Sequence, residues 1–187
     1  MYRAVAWKAL QERLPLEDES AIEELVERSR IEATNGVVTI DGDDVACAIR
    51  TPEIDRAAAA TARLPLVRAA LVARQRAAGA KGAVVMEGRD VGTVIFPEAD
   101  VKIYLDASAE ARAHRRANDP AHTGGRDGSL SRVASDLEAR DTSDRTRATS
   151  PLAIAPDARI IDTTTLSIDQ VVEEVMKMIE EKLRVQP

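Results

Sequence analysis

Aromatic side chains are nearly missing from this 187-residue chain: Tyr2, Trp7, Phe96 and Tyr104 make up 2% of it. That scarcity argues against base-stacking single-strand binding, aromatic peptide grooves and aromatic cages. One cysteine, Cys47, rules out an internal disulfide framework and any CxxC knuckle. His114 and His122 are the two histidines, so a zinc site is not expected. No apolar run approaches the ~18 residues of a membrane span. The opening MYRAVAWKAL has neither a signal-peptide apolar region nor a cleavage site. The expectation is a soluble, cytoplasmic protein without a membrane partner. A net charge of −6 and a pI near 5.1 disfavour non-specific nucleic-acid binding.

What is present suits one domain, or one domain with an inserted lobe. Hydrophobic residues are 44% and charged residues 31%, enough for a real core. Charge is uneven: residues 17–30 are acidic, whereas 50–90 are basic. Only five of the 26 basic residues are lysine, a skew that suits planar, bidentate phosphate recognition or reflects codon preference.

Apolar spacing predicts helices over Tyr2 to Leu14 and Ser20 to Arg30, the second with Ser20 and Glu23 as a capping box. Between Ile31 and Ile49 the period becomes two, and Asn35-Gly36 and Asp41-Gly42 signal turns of a small antiparallel sheet. Helices follow over Pro52 to Ala62 and Leu64 to Ala78. Ala83 to Met86, Val101 to Leu105 and Ala158 to Asp162 read as buried parallel strands. They alternate with helices from Asp106 to Asn118, from Ser129 to Thr146 and from Ser167 on. The last should bury Ile168, Val171, Val172, Val175 and Ile179. This predicts a doubly wound α/β core with an inserted lobe and a short basic lid.

Three segments could carry chemistry. Gly88-Arg89-Asp90-Val91-Gly92 leaves the end of a predicted strand, where ligands sit in open α/β sheets. Alone, it could equally be a surface ion pair. Arg140, Asp144 and Arg147 fall at i, i+4 and i+7 of one helical face, as a site or as a solvated salt-bridged surface. Arg112, Arg115 and Arg116 precede a Gly-rich loop, with Arg126 and Arg132 beyond it. That is either a closing lid over a polyphosphate or an ordinary charged surface.

Taken together, EGRDVGTVIFPEADVKIYLDASAEARAHRR, RDTSDRTRATSPL and IDTTTLSIDQVV resemble bacterial cytidylate kinase, a P-loop nucleoside-monophosphate kinase family. The hairpin with IRTPEIDRAAAATARLPLVRAALVARQR resembles its enlarged monophosphate-binding insert. The resemblance implies a core at 1–30, 79–113 and 133–187, the insert at 31–78 and a lid at 114–132. It implies transfer of a phosphoryl group from ATP, with Mg²⁺, to CMP or dCMP by a cytoplasmic monomer without nucleic-acid partners.

By the same resemblance, Asp90 and Arg68 read cytosine, Arg140 and Arg147 bind phosphates, and Asp144 binds the ribose. Arg3 contacts the monophosphate, Arg89 lies in the substrate site, and Arg115 and Arg116 are lid arginines. Arg115, Arg116 and Arg140 are the expected catalytic set. Ala59 stands where many members carry a base-contacting Ser.

The family opens with a strand, a GxxxxGK[ST] P-loop and a helix, and no such motif occurs in these 187 residues. The first strand, P-loop and first helix, about 30 residues, are thus expected to be absent, with Met1 an internal Met of a longer kinase. The expected consequences are a sheet without its central strand and weak or no transfer. The alternative is a non-catalytic CMP-binding remnant.

Overall fold

The computed structural model describes residues 1–34, 36–80, 82, 84–121 and 129–185. Helix α1 (Tyr2–Gln11) buries Ala4, Val5, Ala6 and Ala9, and its alanines allow close approach of later helices. Helix α2 (Glu19–Arg28) is capped by Asp18, whose carboxylate accepts from the Ala21 N–H at 3.1 Å. The expected cap at Ser20 is therefore corrected to Asp18. A carboxylate is favoured there because it also meets the positive end of the helix dipole.

Strands β1 (Ile31–Thr34), β2 (Val37–Ile40) and β3 (Asp43–Asp44) form the expected antiparallel sheet, with Ile31 opposite Ile40. Asp41 and Gly42 both take positive φ, 54° and 93°, as a type I′ turn requires. Asn35 lies outside the described residues. Helix α3 (Pro52–Thr61) starts at Thr51, which accepts from the Ile54 N–H at 3.2 Å. Helix α4 (Pro65–Gly79) begins after Leu64, a residue with no capping oxygen. Glu19 of α2 supplies one instead, accepting from the Leu66 N–H at 2.7 Å.

These elements share one continuous core. Val5, Ile22, Leu25, Val26, Val67 and Leu71 pack together where α1, α2 and α4 meet. Ile40, Val45, Ile49 and Ile54 close the hairpin against Ala4. Ala6 meets Ala57 and Ala58, so α1 lies close on α3.

The second half is thinner. The strand expected over 83–86 is not formed: Ala83 is outside the described residues, Val84 to Met86 have no strand partner, and Val85 is 96% exposed. Strands β4 (Ile103–Asp106) and β5 (Arg159–Asp162) do pair in parallel, Ile103 opposite Arg159. They are less buried than expected: Ile161 is covered while Leu105 and Ile160 face outward. Helices α5 (Ala109–Ala117) and α6 (Leu130–Thr146) are capped by Ser108 and Ser129. Helix α7 (Ile168–Val185) begins with the expected reciprocal cap of Ser167 and Gln170, at 2.9 and 3.2 Å. Its apolar stripe, expected inside, is a further correction: Ile168 and Val172 are exposed. A sheet two strands wide has too little area to cover an 18-residue helix. No helix among the described residues is long and apolar enough to cross a membrane.

Arg74 ties α4 to the end of α2 by donating to the carbonyls of Val26, Glu27 and Ser29, the last two at 3.0 and 2.6 Å. It thereby satisfies carbonyls that a helix end leaves open. We expect Arg74→Met to lower stability by about 2 kcal/mol, read as a shifted urea midpoint with an unchanged m-value.

Candidate functional site

The Gly88-Arg89-Asp90 turn does not lead into a strand or an ordinary helix. It enters a single π-helical turn, Val91–Ile95, in which the N–H groups of Val94 and Ile95 both donate to the Asp90 carbonyl, at 2.9 and 3.3 Å. Gly88 is needed for this: a Cβ there would come within 2.6 Å of Val91 Cγ2. The turn faces Asp90 inward, where its carboxylate pairs with Arg68 of α4. Both are buried, Arg68 to 2% and Asp90 to 6% exposure. The Arg68 guanidinium also lies over the Tyr2 ring, 5.5 Å from its centroid. Burial pushes the Tyr2 phenol above its ordinary pKa, with Arg68 opposing that shift.

Arg147 lies at the same end. Helix α6 stops at Thr146, and Arg147 is its extended C-cap rather than a further helical residue. The expected single helical face is corrected accordingly. The side chain folds back by donating to the Ser150 carbonyl at 2.6 Å. Its guanidinium reaches Asp144 at 3.4 Å and Asp90 at 3.7 Å. Arg68 Nε and Arg147 Nη2 are buried donors with no hydrogen-bond acceptor among the described residues.

Asp144 joins this end to a second one. Besides Arg147, it faces Arg89 at 3.5 Å and Arg140 at 4.0 Å. Arg89 also reaches Asp141, which is held in turn by Arg112 of α5. Arg140 also lines a cleft of about 340 Å³, whose charged lining is Asp55 and Arg56 of α3, Arg116 of α5 and Asp136 and Arg140 of α6, with Ala59 among its apolar residues. Arg3 and Arg116 both pair with the Asp55 carboxylate. Burial lowers the pKa of Arg3, Arg140 and Arg147, and neighbouring guanidiniums lower it further. Positive charge is in excess here, which is the electrostatic condition for holding an anion.

One expected residue stands apart. Arg115 points away from this cluster and donates to the Thr163 hydroxyl at 2.9 Å and to its carbonyl, bracing the ends of β4 and β5. Arg126 falls outside the described residues. Among those described, no group of three or more His, Cys, Asp or Glu could hold a metal ion.

The cytidylate kinase family model matches residues 1–181. The chain belongs to the cytidylate kinase family. A cytidylate kinase of Solibacter usitatus is 43% identical over 98% of this chain and 79% of its own length. One of Klebsiella pneumoniae is 42% identical over 99% and 83%. One of Desulforamulus reducens is 44% identical over 96% and 82%. Membership of the cytidylate kinase family makes the chain a kinase, in the ATP-using transferase class.

Asp55 and Tyr2 were missed by sequence reasoning. Asp55 carried one usable signal, because it lies four residues before Ala59 and so shares its helix face. Tyr2 carried none, since its partner Arg68 is distant in sequence.

The buried pair makes a stability prediction. Removing one partner strands the other charge, so Arg68→Met or Asp90→Ala should each cost about 3–5 kcal/mol. The double replacement should cost well below their sum. Urea unfolding of the four proteins in a double-mutant cycle reads this coupling.

Proposed function

We propose that this protein transfers the γ-phosphoryl group of ATP to CMP or dCMP. One observation carries the reading. A buried carboxylate with two guanidiniums and unused donors, at Asp90, Arg68 and Arg147, is joined through Asp144 to Arg140, which lines one cleft with Arg116 and with Asp55, the partner of Arg3 and Arg116. We read these as a base-reading end and a phosphate-holding end.

At the base end Asp90 can only accept hydrogen bonds. Arg147 approaches its Oδ1 at 3.7 Å, longer than a hydrogen bond, which leaves room for the exocyclic amine of cytosine. Uracil presents an oxygen there and is repelled. The unused N–H groups of Arg68 and Arg147 suit the ring nitrogen and carbonyl of cytosine. Arg147 thus serves the base end in addition to the phosphate role expected of it. Asp144 takes the ribose hydroxyls and Arg89 holds Asp144 in place.

At the phosphate end Arg3, Arg116 and Arg140 neutralise the acceptor monophosphate and orient one of its oxygens. That oxygen attacks the γ-phosphorus, a new P–O bond forms, and the bond to the β-bridging oxygen breaks to release ADP. Positioning and charge neutralisation suffice, with no protein nucleophile. Arg115 acts through Thr163 to hold the strand ends from which the lid helix α5 departs. The insert at 31–78 would serve the monophosphate and the lid at 114–132, of which 122–128 lie outside the described residues, the triphosphate, in a cytoplasmic monomer.

Among the described residues no group of three or more His, Cys, Asp or Glu could hold Mg²⁺ unaided, so the ion would rest chiefly on the nucleotide phosphates. Nor do these 187 residues contain the GxxxxGK[ST] cradle that holds the β- and γ-phosphates in P-loop kinases. We therefore expect the 187-residue chain to bind CMP with at most slow conversion to CDP, followed by ADP release. Rapid turnover would overturn this. Binding without any turnover fits the alternative, a CMP-binding form that does no transfer.

Base and phosphate roles separate by affinity. Asp90→Asn should reduce the CMP:UMP affinity ratio by about one to two decades, because an amide can donate to the uracil oxygen. Arg3→Ala should weaken CMP and UMP together and keep their ratio. Calorimetric titration of both nucleotides into both variants decides. An unchanged ratio in Asp90→Asn removes the base-reading assignment.

A further inference from the structure

The guanidinium cluster holds a group that monophosphate binding does not call for. Asp55 projects from α3 with one carboxylate oxygen toward Arg3 of α1 and the other toward Arg116 of α5. Three elements distant in sequence thus converge on one carboxylate that is mostly covered, its side chain 19% exposed. Arg140 and Arg50 add positive charge felt by Arg3, and Asp55 is the carboxylate that offsets it. The group lines the cleft together with Ala59, Arg116 and Arg140.

Two guanidiniums each engaging one oxygen of a shared anion is the geometry a phosphate would adopt. A phosphate monoester carries roughly −1.5 to −2 charges at neutral pH and three strong acceptor oxygens. A carboxylate brings a single charge and two oxygens. Both cannot hold the same N–H groups of Arg3 and Arg116 at once. A dianion has the larger electrostatic gain and displaces the carboxylate, whereas a monoanion gains nothing over it.

We propose that Asp55 is an internal anion that occupies the Arg3–Arg116 phosphate position in the unliganded protein, so that a substrate phosphate must displace it. Asp55 thereby sets the affinity for monophosphates and favours dianions over singly charged anions. It also keeps Arg3 and Arg116 from repelling each other while no phosphate is bound. The proposal rests on reading Arg3 and Arg116 as the phosphate end.

The test is titration of CMP, cytidine and inorganic phosphate into the full chain and its Asp55→Asn form, which removes the charge and keeps the shape. CMP and inorganic phosphate should bind Asp55→Asn about tenfold more tightly, with cytidine unchanged. Inorganic phosphate should also raise the melting temperature of Asp55→Asn by more than that of the unaltered chain. Asp55→Ser serves in the same titrations should the first variant fold poorly. Unchanged or weaker CMP and phosphate binding would overturn the proposal, because Asp55 would then be orienting the arginines rather than competing for them. So would a cytidine affinity that moves as far as that of CMP. The CMP:UMP preference of the unaltered chain tests the cytosine reading separately, since inorganic phosphate carries no base and still reports on Asp55.

Discussion

A guanidinium taken out of water must be given acceptors, and that requirement organises this molecule. Arg68 is 2% exposed, so an acidic partner has to reach it inside the protein. Asp90 is that partner, and it reaches Arg68 because the Gly88-Arg89-Asp90 turn winds into a π-helical turn rather than a strand. Docking that turn fixes the end of α4, where Arg76 donates to the carbonyls of Val94 and Ile95 at 2.7 and 3.1 Å. The side chain of Phe96 then lies so close to Gly79 that any Cβ there would collide with it. One buried charge pair thus decides how a loop, a helix end and an aromatic ring are arranged.

The same logic repeats at Asp144, Asp141 and Asp55, each facing arginines from other elements. Arginine outnumbers carboxylate across this network, and burial together with like-charge neighbours depresses several guanidinium pKa values. Such an excess costs stability unless an anion arrives. Under the proposed function, binding a nucleotide phosphate and completing the electrostatics of the fold are one event. Proteins commonly accept local cost at functional sites, and the π-helical turn beside Asp90 is of the same kind.

The two halves differ in how they are held. Residues from α1 to α4 share a continuous apolar core with helix caps supplied within and between elements. The portion with β4, β5 and α7 leaves Val85, Leu105, Ile160 and Ile168 in contact with solvent. Its charged side chains are better partnered than its apolar ones, as Lys102 with Asp157 at 2.8 Å shows.

Local chemistry determined much of this protein. The Asp41-Gly42 turn, the reciprocal cap of Ser167 and Gln170, and most of the order of helices and strands were legible because each depends on neighbours within about four residues. The family motifs likewise marked Arg68, Asp90, Arg140 and Asp144 as candidates, since motifs are contiguous. Tertiary structure decided the rest. Whether an apolar run such as Val84 to Met86 becomes a strand depends on a hydrogen-bonded neighbour that lies elsewhere in the chain. Whether the α7 stripe is buried depends on how wide a sheet it meets. That Arg116 pairs with Asp55 while adjacent Arg115 braces Thr163 follows from successive helical residues pointing about 100° apart. What each then meets is set by packing between elements, which no local pattern encodes.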